Sequence, residues 1–171
     1  MGRDKALLAQ GGVSQLVRLA RLGADHGLPI LVCGRTAPQD WSGPATTFLP
    51  DPVAGEGPLR GLATALERAE EVLLLACDLP RLEASGMRWL LERSAGDWGA
   101  GTVHAGQPQP LASRYRRACL LAVLHELAGE RRSLRALFAA PGFVLHEVPS
   151  ELAVQLDDAD TPSDWRRLTG S

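Results

Sequence analysis

The sequence predicts an α/β fold in which helices wind about a mostly parallel sheet, and three observations carry that expectation. Apolar runs recur at 29–33 (Pro-Ile-Leu-Val-Cys), 46–49 (Thr-Thr-Phe-Leu), 72–77 (Val-Leu-Leu-Leu-Ala-Cys) and 143–148 (Phe-Val-Leu-His-Glu-Val). Their hydrophobicity is nearly continuous instead of alternating, the pattern of strands covered on both faces. Helical spacings lie between them, and strand–helix alternation of this kind gives a wound sheet whose ligands bind beyond the carboxyl ends of the strands.

Taken in order, the runs at 29–33 and 46–49 are strands, followed by a helix with Leu59, Leu62, Ala63 and Leu66 on one face. The run at 72–77 is a strand that leads to Asp78 and is stopped by Pro80. Leu90 and Leu91 mark a further helix, and 96–106, rich in glycine, reads as loop. Arg114-Tyr115-Arg116-Arg117 and Arg131-Arg132 read as solvated helix surface, with anion contacts as the alternative. Cys119, Leu120, Val123, Leu124 and Leu127 share a helical face, and 143–148 is the last strand. Thr161 is placed as an N-cap, with Pro162 at the first helical position and Asp164 three residues after the cap, for a final helix through Leu168.

The 171 residues fit one domain, 1–171, with a core that needs neither disulfide nor structural metal. A net charge of -2 and a pI near 6.1 supply no basic field for long nucleic acid, whereas a small anionic ligand remains compatible. Cys33, Cys77 and Cys119 are odd in number and far apart and read as small buried apolar residues in a reducing compartment, so no disulfide is expected, and His26, His104, His125 and His146 show no zinc-ligand spacing with each other or with cysteine. No membrane-length apolar stretch occurs and charge follows Met1 at once, so a cytoplasmic protein without membrane partners is expected.

Several residues could carry chemistry. Lys5 is the sole lysine among 18 basic residues, which suggests a site wanting a compact ammonium, as phosphate clamps do, unless it reflects drift at a terminus. Asp78, after an apolar strand, suits Mg²⁺, which takes oxygen ligands and bridges to phosphates; a turn aspartate before Leu-Pro is the plainer reading. Gly55-Glu56-Gly57-Pro58-Leu59-Arg60-Gly61 opens a helix where free amides favour anions, yet it is neither a Walker loop nor a dinucleotide fingerprint. In Asp157-Asp158-Ala159-Asp160 an extended backbone would turn Asp158 and Asp160 to one side, as a second metal ligand or as an acidic turn before the last helix.

Five blocks connect these signals. Met1-Gly2-Arg3-Asp4-Lys5-Ala6-Leu7-Leu8, Gly57-Pro58-Leu59-Arg60-Gly61-Leu62, Cys77-Asp78-Leu79-Pro80, Gln109-Pro110-Leu111 and Asp160-Thr161-Pro162 follow the order seen in MobA-like molybdenum cofactor guanylyltransferases, which the chain resembles over almost its whole length. The resemblance implies a Rossmann-like three-layer sheet of the nucleotide-diphospho-sugar transferase type. It also implies GMP transfer from GTP-Mg²⁺ to molybdenum-bound molybdopterin, with pyrophosphate released. Lys5 matches the family's phosphate lysine, Asp78 its Mg²⁺ and nucleotide aspartate, and Asp51 its acid after the third strand. Asp160 falls where the family has an acid or amide near the metal, and Arg3 beside the nucleotide-binding Lys5. The implied partners are GTP and the molybdopterin cofactor, with molybdoenzyme maturation proteins beyond them. A phosphate oxygen would be the nucleophile, so no general base is required and alignment with charge neutralisation does the work.

The family also has a strand and a loop of the form Leu-Ala-Gly-Gly-x-Ser-x-Arg before Met-Gly-x-x-Lys, about ten to fifteen residues that this sequence does not include. The expectation is that Met1 is an internal methionine of a longer protein, which mass spectrometry of the natural N-terminus checks. Cys33 stands where the family often has Asn, and a thiol does not replace amide hydrogen bonds. Cytidylyl transfer to the same cofactor, a non-catalytic nucleotide-binding remnant, and a phosphoacceptor receiver domain are the alternatives. The last fits least, because receivers need an acid pair early and a lysine late.

Overall fold

The computed structural model describes residues 5–51, 56–129 and 132–170. After a 3-10 turn at Lys5–Leu7 come two short antiparallel strands, β1 (Ala9–Gln10) and β2 (Val13–Ser14), and then helix α1 (Gln15–Asp25). Ser14 caps α1 by accepting from Val17 N, and Leu16, Val17, Leu19, Ala20 and Gly23 are its buried face.

Strands β3 (Ile30–Cys33) and β4 (Thr46–Leu49) form a parallel pair, as the apolar runs predict. Helix α2 (Gly57–Leu66) returns across them, with Leu59, Leu62, Ala63 and Leu66 in the core. Gly61 lets the helix lie against β3, since a Cβ there would come within 3.2 Å of Cys33 Cβ.

The larger sheet is mixed. β5 (Glu71–Leu75) pairs antiparallel with β8 (Ala112–Arg116), β8 pairs antiparallel with β6 (Gly99–His104), and β6 pairs parallel with β9 (Phe143–Glu147) and antiparallel with β7 (Gln107–Pro108). Helix α3 (Ala84–Glu92) follows β5, α4 (Leu120–Ala128) packs on α2, and α5 (Pro162–Thr169) closes the described chain. Thr161 makes the predicted capping box with Asp164, both hydrogen bonds being present.

Two readings of the sequence are overturned here. The 96–106 segment is not loop-rich: it contains β6 and the turn to β7. Its glycines permit close strand packing, because at Gly99 (φ 147) a Cβ would collide with the Arg114 carbonyl, and at Gly101 it would meet Leu145 Cδ2 at 2.5 Å. Arg114-Tyr115-Arg116 is not a helix surface but part of β8. Glu71 receives hydrogen bonds from Arg114 Nη1 and Arg116 Nε, each at 2.8 Å, while Tyr115 points to the other face and is fully buried. Tyr115 packs with Phe138 and Phe143 in the core shared by α2 and α4.

Among the described residues, β3 pairs with β4 alone and β5 with β8 alone. A cleft of about 860 Å³ separates the two strands, lined by Leu31, Val32 and Cys33 on one wall and Leu73, Leu74 and Leu75 on the other. Within the described residues these β5 side chains are half-buried along the cleft.

Candidate functional site

β5 ends at Leu75, and Asp78 lies in the turn that follows it. That turn is fastened from two directions. Ala76 N donates to Leu111 O at 3.0 Å, and Asp78 O accepts from Ala159 N at 2.9 Å. The Gln109-Pro110-Leu111 segment that holds Ala76 is itself tied down: Gln109 N donates to Thr102 O, Ser113 Oγ donates to Gln109 O, and the buried Tyr115 hydroxyl donates to Pro110 O at 2.9 Å. Burial pushes that Tyr115 hydroxyl to a much higher pKa, so it is a permanent donor.

The Ala159 contact brings the acidic segment beside Asp78. Ala159 is buried and its neighbours Asp158 and Asp160 are exposed, so the two carboxylates share the side away from the core, as alternation in an extended segment predicts. Asp157 serves a different purpose: its Oδ1 lies 2.9 Å from His104 Nε2 and its Oδ2 is 4.0 Å from Arg167 Nη1, which anchors the segment between β6 and α5.

A cavity of about 230 Å³ opens here, with Asp78, Asp158, Asp160, Gln109 and Arg135 around Leu79, Pro110 and Leu156. The fold thus collects Asp78 and Asp160, which lie far apart in sequence. Arg135 is the residue that sequence reasoning missed. It stands in the 3-10 helix Leu134–Ala139, where Leu134, Leu137 and Phe138 are buried and leave the arginine exposed toward the acids. Its position between buried Leu134 and Leu137 was the available signal.

Asp51 belongs to the other cavity, the apolar cleft, which meets the acidic one at Ala76 and Leu111. Asp51 lies beside Gly34, whose φ of 84 is one that other residues rarely adopt and where a Cβ would sit 3.3 Å from Asp51 Oδ2. Asp51 Oδ1 is shut from solvent without a hydrogen-bond partner among the described residues. Burial, followed by the Asp51 charge, raises the neighbouring Cys33 thiol pKa and keeps it protonated. Glu56, before α2, is held below the usual carboxylate range by its 2.6 Å hydrogen bond from Arg60 Nε.

Lys5 begins the 3-10 turn, and the adjacent Ala6 is buried in a cluster with Leu16 and Val32 against which Cys77 packs. Its backbone is therefore carried toward the Asp78 turn. The Arg3 expectation lies outside the described residues. Among the described residues no helix is long and apolar enough to cross a membrane.

A model of the MobA-like NTP transferase domain matches residues 1–146. The chain belongs to that family. As a MobA-like NTP transferase it is a nucleotidyltransferase, and the mixed α/β architecture is the one its structural neighbours share. The "Probable molybdenum cofactor guanylyltransferase" of Synechococcus elongatus is 31% identical over 183 residues, covering 98% of this chain and 91% of the relative. The crystal structure of molybdopterin-guanine dinucleotide biosynthesis protein A from Archaeoglobus fulgidus superposes with a TM-score of 0.76 at 17% identity, over 99% of this chain and 90% of that one. The 2-C-methyl-D-erythritol 4-phosphate cytidylyltransferase of Thermus thermophilus does so with a TM-score of 0.62 at 19% identity, over 97% and 92%. At these identities the two solved structures speak for the fold of this MobA-like NTP transferase and no further.

Proposed function

We propose that this MobA-like NTP transferase moves GMP from GTP to the phosphate of molybdenum-bound molybdopterin, forming the guanine dinucleotide cofactor and releasing pyrophosphate. The observation that carries the reading is the convergence of Asp78, Asp158 and Asp160 on one small cavity faced by Arg135, at the end of β5. The guanylyltransferase name of its relatives supports the same substrates.

Mg²⁺ fits the donors present. The cavity offers hard carboxylate oxygens, and among the described residues no group of three or more acidic, histidine or cysteine side chains is arranged to hold a metal unaided. An ion that takes one or two carboxylates and completes its shell with substrate phosphates needs no such cage. Asp78 and Asp160 are the assigned ligands, with Asp158 beside them. When bound there, Mg²⁺ supplies positive charge against the triphosphate.

The chain's own residues do the rest. Lys5 supplies a mobile ammonium for the phosphates, with Arg3 nearby in sequence, and Arg135 draws an anion to the mouth of the cavity. The Asp51 carboxylate, on the cleft beside Gly34, offers an acceptor to the nucleoside end. An acceptor phosphate oxygen forms its bond to the α-phosphorus as the bridging bond to the β-phosphate breaks, and the electron pair leaves with pyrophosphate. No proton need be removed from that oxygen at neutral pH, so the site works by alignment and preorganised charge.

Pyrophosphate release from GTP and molybdenum-loaded molybdopterin, with CTP as comparator, tests the reading. Asp78→Asn and Asp160→Asn are expected to lower kcat about 10²- to 10³-fold, the range seen when a preorganised charge-stabilising group is removed. Full activity in Asp78→Asn, or turnover of CTP and not GTP, would overturn it.

A further inference from the structure

α1 carries a cation that the sequence does not mark. Arg18 reaches across to the turn after β5: Nη1 donates to Leu82 O at 2.6 Å, Nη2 donates to Leu79 O, and Nε donates to Gln15 Oε1 at 3.0 Å. Both carbonyls belong to buried residues, Leu79 and Leu82. Among the described residues no carboxylate forms an ion pair with Arg18. Burial lowers its pKa, and Glu83 and Cys77 oppose that only at longer range.

The arrangement is a poor one for stability alone. A partly buried guanidinium without a counter-charge carries a desolvation penalty, and fixing Gln15 Oε1 on Arg18 leaves the fully buried Gln15 Nε2 without a partner among the described residues. What the planar fork does provide is a rigid span between two carbonyls three residues apart. The turn bearing Asp78 is thereby held at Leu79 and Leu82 from α1, and at Ala76 and Asp78 from the opposite side by Leu111 and Ala159.

We propose that Arg18 is a positioning residue, which clamps the 79–82 carbonyls so that the Asp78 carboxylate faces Asp158 and Asp160 in a geometry ready for a metal-bound triphosphate. The inference rests on the reading of that cavity as the metal–nucleotide site. Groups that orient a metal-binding side chain without touching the metal typically change metal affinity about 10- to 100-fold when removed.

Mn²⁺ serves as the probe, with its free concentration read by electron paramagnetic resonance in the presence of GTP, and hydrogen–deuterium exchange of 76–83 measured in parallel. Arg18→Met is expected to bind Mn²⁺-GTP at least 10-fold more weakly and to exchange faster at 76–83, with α4 and β9 protected as in the wild type. Arg18→Lys, which keeps the charge but reaches only one carbonyl, is expected to fall between. Binding by Arg18→Met within twofold of the wild type, or full binding by Arg18→Lys, overturns the proposal. Should Arg18→Met fail to fold, Arg18→Lys decides: threefold or greater weakening supports the clamp, and unchanged affinity sinks it. Asp78→Asn separates the two layers of the argument. If it and the wild type handle Mn²⁺-GTP identically, the cavity reading fails and the exchange rates at 76–83 alone judge the clamp. If it loses the ion while Arg18→Met keeps it, only the clamp fails.

Discussion

Replacing Gln155 should destabilise the protein from a distance. Helix α3 begins at Ala84, and its N-cap Glu83 makes no side-chain capping bond. Gln155, some seventy residues later in the chain, does that work: its Oε1 accepts from Glu83 N and from Gly86 N, both at 3.1 Å, and its Nε2 donates to Ser85 Oγ at 2.9 Å. The fit is tight, since a Cβ on Gly86 would meet Gln155 Oε1 at 2.5 Å. In Gln155→Ala two amide donors lose their acceptor, one of them buried, and at roughly 1–1.5 kcal/mol for each the loss is about 2–3 kcal/mol. For a chain of this length that corresponds to a fall in Tm of about 5–10 °C. Gln155→Glu keeps both acceptor contacts and places a negative charge at the start of a helix, while the Ser85 hydroxyl can rotate to donate, so it should remain within about 1 kcal/mol of the wild type at neutral pH. Urea unfolding at constant m measures both variants. A midpoint for Gln155→Ala equal to that of the wild type, or equal losses in the two variants, would refute the capping argument.

Thr161→Ala removes the hydroxyl of the α5 capping box and should cost about 1 kcal/mol by urea unfolding. Asp164 in that box is held below the usual carboxylate range, first by its hydrogen bond from the Thr161 hydroxyl and then by the Thr161 backbone. Its contribution is therefore present at neutral pH and lost as the pH falls through the folded value, so Thr161→Ala should show a shallower acid-side decline. Cys119 is buried, and burial pushes its thiol from 9.0 up to about 11. The unfolded chain gives up that proton first, so stability should drop between pH 9.0 and about 11, and Cys119→Ala should flatten that limb of the urea-midpoint profile.

The sequence was most legible where one residue type had one job. Thr161, Pro162 and Asp164 spell a helix start because each satisfies a separate demand of a helix N-terminus. Asp158 and Asp160 were readable as a pair because alternation about Ala159 survives in the folded segment. β6 was hidden because Gly99 and Gly101 look like turn residues until the neighbouring strands that exclude a side chain are known. β8 was hidden because its arginines owe their place to Glu71, a cross-strand partner some forty residues earlier. Helix α1 went unread, although Ser14 followed by Leu16, Leu19, Ala20 and Gly23 is the pattern of a capped amphipathic helix, and nothing local links Arg18 to carbonyls more than sixty residues away.

The way the Asp78 turn is fastened also bears on how the molecule opens. Its backbone is tied to Leu111 through Ala76 and to Ala159 through Asp78, and Tyr115, buried in the core under α2 and α4, holds Pro110 in turn. A segment held in this way opens with the core and not by itself, because cooperative units follow continuous contact. The amides of Ala76 and Ala159 should then exchange at an opening free energy close to that of β8. Loosening the core at Tyr115 would move the Asp78 turn as well, so the packing of the interior and the setting of that carboxylate are coupled.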